Sequence, residues 1–136
     1  MTFTPAELDY LRSQPLGRLA TVDADGSPQV NPVGFRVTSS GDVLIGGYAM
    51  AKTRKYRNVA ATGRAALVID DLASRDPWTV RGIEIRGRAE ATTVDDPPIP
   101  GTTTEVIRLH PNTVFTWGVE ASDQRMTRRD RDPASS

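Results

Sequence analysis

Four of the six residues from Lys52 to Arg57 are cationic, and Lys52 and Lys55 are the only lysines in the chain. The segment Gly46-Gly47-Tyr48-Ala49-Met50-Ala51-Lys52-Thr53-Arg54-Lys55-Tyr56-Arg57-Asn58 leads into a short helix predicted over 52–62 and ended by Gly63. Aligned peptide dipoles already place about half a positive charge at a helix start. Further cations there repel one another unless an anion sits among them. Spare backbone N–H groups of the first turn, with the Thr53 hydroxyl, would complete a phosphate cradle. Gly46 and Gly47 carry no Cβ and would let a ligand approach the preceding backbone. A solvated charged face is the competing reading; the glycine pair and the helix-start position favour the anion site.

Other chemistry is thin. The chain has no cysteine and one histidine, which excludes a thiol nucleophile, a disulfide framework and a His-rich metal centre. Asp70-Asp71 has no further ligands nearby and reads as a strand end rather than a metal site. His110, in His-Pro-Asn, reads as a turn residue. Glu84 alternates with Ile83 and Ile85 and pairs with Arg86 or Arg88. Trp78 and Trp117 read as core or interface residues. No acid–base pair stands out, so the catalytic residues stay unassigned; Tyr48, expected to face a groove, is the one candidate proton donor. Seventeen basic residues balance seventeen acidic ones, which argues against nucleic acid and membrane surfaces as partners. No signal peptide or long apolar run is legible, so a cytoplasmic location is expected.

The elements that must position the cluster are mostly strands. Thr4 and Glu7 have capping-box spacing with Pro5 at the first helical position, predicting a helix to about Gln14. Strands are expected at 16–22, 28–38 and 43–47, joined by turns at 23–26 and 39–42. Pro28 and Pro32 cannot donate to a ladder, so the second strand should be an edge or carry a bulge. After the basic helix, strands are expected at 65–69, 80–90, 105–109 and 113–120, the last two split by His110-Pro111-Asn112. From 121 to 136 the chain is polar and reads as a disordered tail to a single domain over 1–120. The expected fold is mostly β, a barrel of six to seven antiparallel strands with two or three short helices.

Leu16 to Val22 and Asp25 to Phe35 resemble the opening strands of the pyridoxamine 5′-phosphate oxidase-like split barrels. Lys52 to Asn58 is similar to that family's phosphate-binding turn and helix, and Gly82 to Glu90 and Asn112 to Glu120 to its later strands. The resemblance implies a split barrel working as a homodimer, with one cofactor in each of two grooves between subunits. It places Asn31, Pro32 and Val33 beside the cofactor ring, and Gly46, Gly47 and Tyr48 along the groove. Lys52, Thr53, Lys55 and Arg57 would hold the phosphate, and Trp78 and Arg81 would face the groove from the other subunit. The C-terminal Arg131-Asp132-Pro133 is not the substrate motif of true pyridoxamine phosphate oxidases, which argues against pyridoxine phosphate as substrate.

The branch most resembled uses the deazaflavin coenzyme F420. Its lactyl-oligoglutamate tail carries several carboxylates, for which Arg54 and Lys55 could supply cations. FMN shares the ring and phosphate and is the alternative. The expectation is an oxidoreductase moving a hydride between a deazaflavin and a small-molecule substrate, with a non-catalytic cofactor-binding protein as the third possibility. In every case the cofactor brings the reactivity and the protein positions it.

Overall fold

In the computed structural model, residues 2–120 and 125–131 are described. The Thr4 side chain accepts from the Glu7 amide and the Glu7 side chain from the Thr4 amide, closing the capping box that starts α1 (Pro5–Ser13). There follow β1 (Gly17–Val22), β2 (Pro28–Val37) and β3 (Val43–Gly46), then a 3-10 turn (Met50–Lys52) and α2 (Arg54–Thr62). The chain ends with β4 (Arg64–Arg75), β5 (Trp78–Thr93), β6 (Glu105–Trp117) and β7 (Thr127–Asp130). The strand order is β3-β2-β1-β4-β5-β6-β7, and β3 also pairs with β6. Six antiparallel strands therefore close a barrel, and β7 is an addition.

Inward positions alternate along each strand, as the pattern predicts. Leu19, Ile45, Leu67, Ile69, Ile83, Ile85, Ile107 and Leu109 are at most 1% exposed, while Glu84 and Arg86 pair on the outer face at 2.8 Å. Each such aliphatic side chain stabilises the fold by about 1.5–3 kcal/mol on burial. β2 explains its prolines. Residues 28–33 pair with β1 and residues 34–37 with β3. Pro28 and Pro32 thus lie in the half of the strand that has a free edge.

Three expectations are corrected. His110-Pro111-Asn112 does not split two strands: Gly87 pairs with Pro111 and Arg86 with Thr113, leaving Asn112 as the extra residue of a bulge within β6. Gly87 makes this possible, because a Cβ there would collide with the His110 carbonyl oxygen. The bulge also divides one edge of β6, with Ile107–Leu109 on β3 and Thr113–Thr116 on β7. Asp70-Asp71 does not end β4, since Asp70 meets Arg18 at 2.6 Å and Asp71 meets Arg81 at 2.7 Å while the strand runs on to Arg75. Within the stretch read as a disordered tail, Thr127–Asp130 is a strand, held by pairing to β6 and by Arg129 on the buried Glu7; residues 121–124 and 132–136 lie outside the described residues. Edge pairing of a polar segment leaves no mark in hydropathy, which is why composition alone reads it as loose.

Among the described residues no helix is long and apolar enough to cross a membrane.

Candidate functional site

The basic cluster is presented by the turn between β3 and α2. Met50, fully buried, pins the turn into the core, while Tyr48 stands 85% exposed. Thr53 is the N-cap of α2. Its Oγ1 accepts from the Tyr56 amide at 3.3 Å and donates to the Met50 carbonyl at 2.7 Å. The hydroxyl proton is therefore used inside the chain, and Thr53 serves the cluster by shaping the helix start. The Arg54 and Lys55 amides follow the cap, and neither donates to the carbonyls of the 3-10 turn before it.

Lys52, Arg54 and Arg57 are exposed and Lys55 is half-buried. Arg57 Nη1 donates to the Lys52 carbonyl at 3.3 Å. None of the four is in an ion pair among the described residues, whereas Arg18, Arg81, Arg86, Arg108 and Arg129 each hold a carboxylate. Four cations gathered without counter-charge at a helix start give the cluster a charge and donors that suit an anion.

Asn58 docks α2 onto the barrel. It is 5% exposed, and its Nδ2 donates to Thr21 Oγ1 at 3.1 Å and to Gln29 Oε1 at 3.4 Å. Gln29 Nε2 in turn donates to Asn31 Oδ1. Gln29 and Asn31 share the inward face of β2 with Val33, so the barrel wall turns polar where α2 covers it. Arg54, one turn before Asn58, lines with Asp23, Ser27, Pro28 and Gln29 a cleft of about 290 Å³. Gln29 and Asn58 were not among the residues expected from sequence. Two amides at inward positions of an otherwise apolar pattern are the signal that could have found them.

The other expected residues divide. Val33 is 5% exposed and belongs to the core, while Pro32 lies on the outer face opposite Arg18 of β1. Gly46 is covered by the chain itself, since a Cβ there would meet Pro98 at 3.1 Å and Thr102 at 3.2 Å. The Gly47 carbonyl accepts from the Thr103 amide at 3.0 Å. The close approach that Gly46 permits is thus to the 95–103 loop, whereas a Cβ on Gly47 would meet Met50 at 3.4 Å. Trp78, 69% exposed, begins β5, whereas α2 packs at the strand's other end, where Tyr56 reaches the Thr92 carbonyl at 3.3 Å. The two ends lie on the order of 40 Å apart along the strand. Arg81 is held bidentately by Asp71 at 2.7 and 3.0 Å and lies 5.0 Å from the Tyr10 ring centre.

Perturbed titrations mark structural contacts. The Arg81 hydrogen bond holds the Asp71 carboxyl below its ordinary range, and burial, aided by Asp71, pushes the Tyr10 phenol up. His110 sits between Glu90 at 2.6 Å and Asp42 at 3.2 Å, and its hydrogen bond holds the Glu90 carboxyl down.

The sequence model of the pyridoxamine 5′-phosphate oxidase family matches residues 3–118. A 5a,11a-dehydrotetracycline/5a,11a-dehydrooxytetracycline reductase of Streptomyces rimosus subsp. rimosus is 45% identical over 122 residues, covering 88% of this chain and 86% of that protein. A heme binding protein from Mycobacterium smegmatis superposes with a TM-score of 0.67 at 19% identity; the match covers 94% of this chain but spans only 59% of that one. A pyridoxamine 5′-phosphate oxidase-related, FMN binding protein from Nostoc punctiforme superposes with a TM-score of 0.60 at 13% identity, covering 98% and 100% of the two chains. At such identities these two structures speak for the fold alone. With the family match running from α1 through β6, and a reductase at 45% identity, the chain belongs to the pyridoxamine 5′-phosphate oxidase family of oxidoreductases.

Proposed function

We propose that the protein is a reductase that takes its hydride from reduced coenzyme F420, held with its phosphate at the start of α2. The observation that carries this reading is the set of four cations without carboxylate partners at Lys52, Arg54, Lys55 and Arg57. The donor set fits the group: cationic side chains and spare amides suit a phosphate, and the surplus charge suits a tail of carboxylates. FMN fits the phosphate part equally well and is the alternative, favoured by the Nostoc protein described as FMN binding. When bound, the cofactor supplies the hydride.

The chain's own residues bind, orient and shield. Lys52, Lys55 and Arg57 hold the phosphate by charge, and the amides of Gln29 and Asn31 form the polar wall beside it. The relative's named substrate carries a carbon–carbon double bond between its 5a and 11a positions. A conjugated polycyclic ketone is accordingly the substrate class for this chain. Its reduction adds a hydride to one carbon and a proton to the other. Tyr48, exposed beside the cluster, is the candidate to give that proton.

The working unit is a homodimer. Trp78 and Arg81 lie at the far end of β5 from α2, so they reach a cofactor groove only from a second copy. The exposed Leu16, Val30 and Trp78, and an apolar trough of about 330 Å³ lined partly by Ala20, Val22, Ala65 and Ala66, suit such a contact.

The test is a titration of the full chain with each cofactor, followed by tryptophan and deazaflavin fluorescence, with sedimentation to give the oligomeric state. Micromolar binding of the deazaflavin and weaker binding of FMN is expected. Binding of FMN alone, or of neither, overturns the reading.

A further inference from the structure

The loop between β5 and β6 is built to keep one shape. Its neck is closed by the Val94 amide on the Thr104 carbonyl at 2.9 Å. At its tip the Ile99 carbonyl accepts from the Thr102 amide at 3.1 Å, with Pro100 and Gly101 between them. Gly101 has a φ of 86°, and a proline followed by a positive φ is the pattern of a type II turn. Pro97 and Pro98 fix two further φ angles just before it. The loop lies in a notch on the outside of the barrel. Gly34 of β2 and Gly46 of β3 stand opposite one another in the ladder and alternate with the inward Val33 and Ile45. Both therefore present bare backbone outward. A Cβ on Gly34 would meet Ile99 Cδ1 at 2.5 Å, as one on Gly46 would meet Pro98 and Thr102.

Past the notch the loop takes hold of the turn after β3. The Thr103 amide donates to the Gly47 carbonyl at 3.0 Å, and its hydroxyl reaches the same oxygen at 3.3 Å. That carbonyl belongs to the planar peptide joining Gly47 to Tyr48. The Tyr48 side chain is 85% exposed and has no hydrogen-bond partner among the described residues, so its direction is set by its backbone. The cationic residues further on are held by other means, with Met50 in the core and Thr53 at the helix cap. The loop thus governs Tyr48 separately from the cluster.

We infer that residues 95–103 form a positioning strap for Tyr48, fastened by Ile99 in the glycine notch and by Thr103 on the Gly47 carbonyl, and that it fixes where the phenolic proton is delivered. The inference rests on the reading of Tyr48 as proton donor. In that reaction the substrate double bond takes a hydride on one carbon from the reduced cofactor, which is oxidised. The other carbon takes the Tyr48 proton, and the phenolate regains a proton from water.

The experiment uses the full chain with reduced coenzyme F420 and 5a,11a-dehydrotetracycline as the probe substrate. It reads kcat, cofactor Kd and hydrogen exchange at the Thr103 amide. Gly34→Ala drives Ile99 Cδ1 from the notch and is expected to lower kcat about tenfold by misplacing the donor. Exchange at Thr103 should quicken about tenfold, while cofactor Kd stays as in the wild type. Gly34→Ala combined with Ile99→Val restores both readings, because valine lacks Cδ1 and the remaining Cγ1 lies 3.9 Å from the new methyl. A general loss of stability would not be repaired by shortening a second side chain. Tyr48→Phe should lower kcat about a hundredfold, and Gly34→Ala added to it should cost nothing further. Unchanged exchange at Thr103 in Gly34→Ala overturns the strap whatever the activity. Unchanged kcat in Gly34→Ala, or losses that add to those of Tyr48→Phe, overturn it and leave Tyr48 as the donor. Full turnover by Tyr48→Phe, or none by the wild type, overturns the donor reading and the strap together.

Discussion

The carboxylate of Glu7 meets the guanidinium of Arg129 at 2.6 Å, joining the first helix to the last strand across 122 residues of sequence. Glu7 is 1% exposed and also caps α1, whereas the Arg129 side chain is 40% exposed. Removing the arginine strands a buried charge; changing Glu7 to glutamine leaves a neutral group that keeps the cap. Arg129→Ala should therefore cost about 2 kcal/mol, discounted from the fully buried case because the arginine is partly solvated. Glu7→Gln should cost less. Denaturant unfolding of both variants checks the asymmetry, and equal losses would speak against a buried, uncompensated carboxylate as the cause.

The Tyr10–Asp71–Arg81 group predicts both limbs of the pH–stability curve. Arg81 depresses the folded-state pKa of Asp71, so its contribution is present above the unfolded value of about 3.9 and is lost as pH falls through the folded value. Burial raises that of Tyr10, so its contribution is present below the unfolded value of about 10 and is lost as pH rises through the folded value. Asp71→Asn should flatten the acid limb and Tyr10→Phe the alkaline limb. Tm measured against pH gives the answer; unchanged slopes would refute the assignment.

Gly87 faces the β6 bulge, where an added Cβ would strike the His110 carbonyl oxygen and approach the Asn112 amide at 3.0 Å. Both are backbone atoms and cannot swing aside. Gly87→Ala should destabilise by about 3 kcal/mol, at the upper end for overpacking. A neutral substitution, read by thermal unfolding, would mean that the bulge has slack.

His110 and Glu90 offer a spectroscopic check. The hydrogen bond from His110 holds the Glu90 carboxyl down, so His110→Ala should move the Glu90 titration upward. Carboxyl-carbon NMR across the acid range follows it directly. A titration that does not move would remove His110 as the cause.

At the candidate site, Lys55→Ala should raise the Kd of the phosphorylated cofactor about tenfold through loss of one charge-assisted contact. Binding by the wild type should weaken as salt rises, because exposed charges are screened within about 8 Å at physiological ionic strength. Calorimetric titration at two salt concentrations tests both. Salt-independent binding would indicate that the phosphate is not held at this cluster.

Local chemistry made much of this protein legible in one dimension. The Thr4–Glu7 capping box, the Gly63 helix end, the alternation around Ile83 and Ile85 and the crowding of Lys52, Arg54, Lys55 and Arg57 all arise from neighbours within a few residues. Such short-range interactions are written in sequence spacing. What stood beyond reach depends on residues far apart in the chain. The bulge at Asn112 exists because Gly87, 25 positions earlier, admits the approach of two backbones. β7 exists because β6 offers an edge and Glu7 a buried charge. The missing Cβ of Gly46 makes room for the chain's own 95–103 loop, and Asn58 earns its place only by meeting Thr21 and Gln29. Pairing across the barrel decides which polar groups are satisfied and which are left facing a ligand, and that choice is made only when the barrel closes.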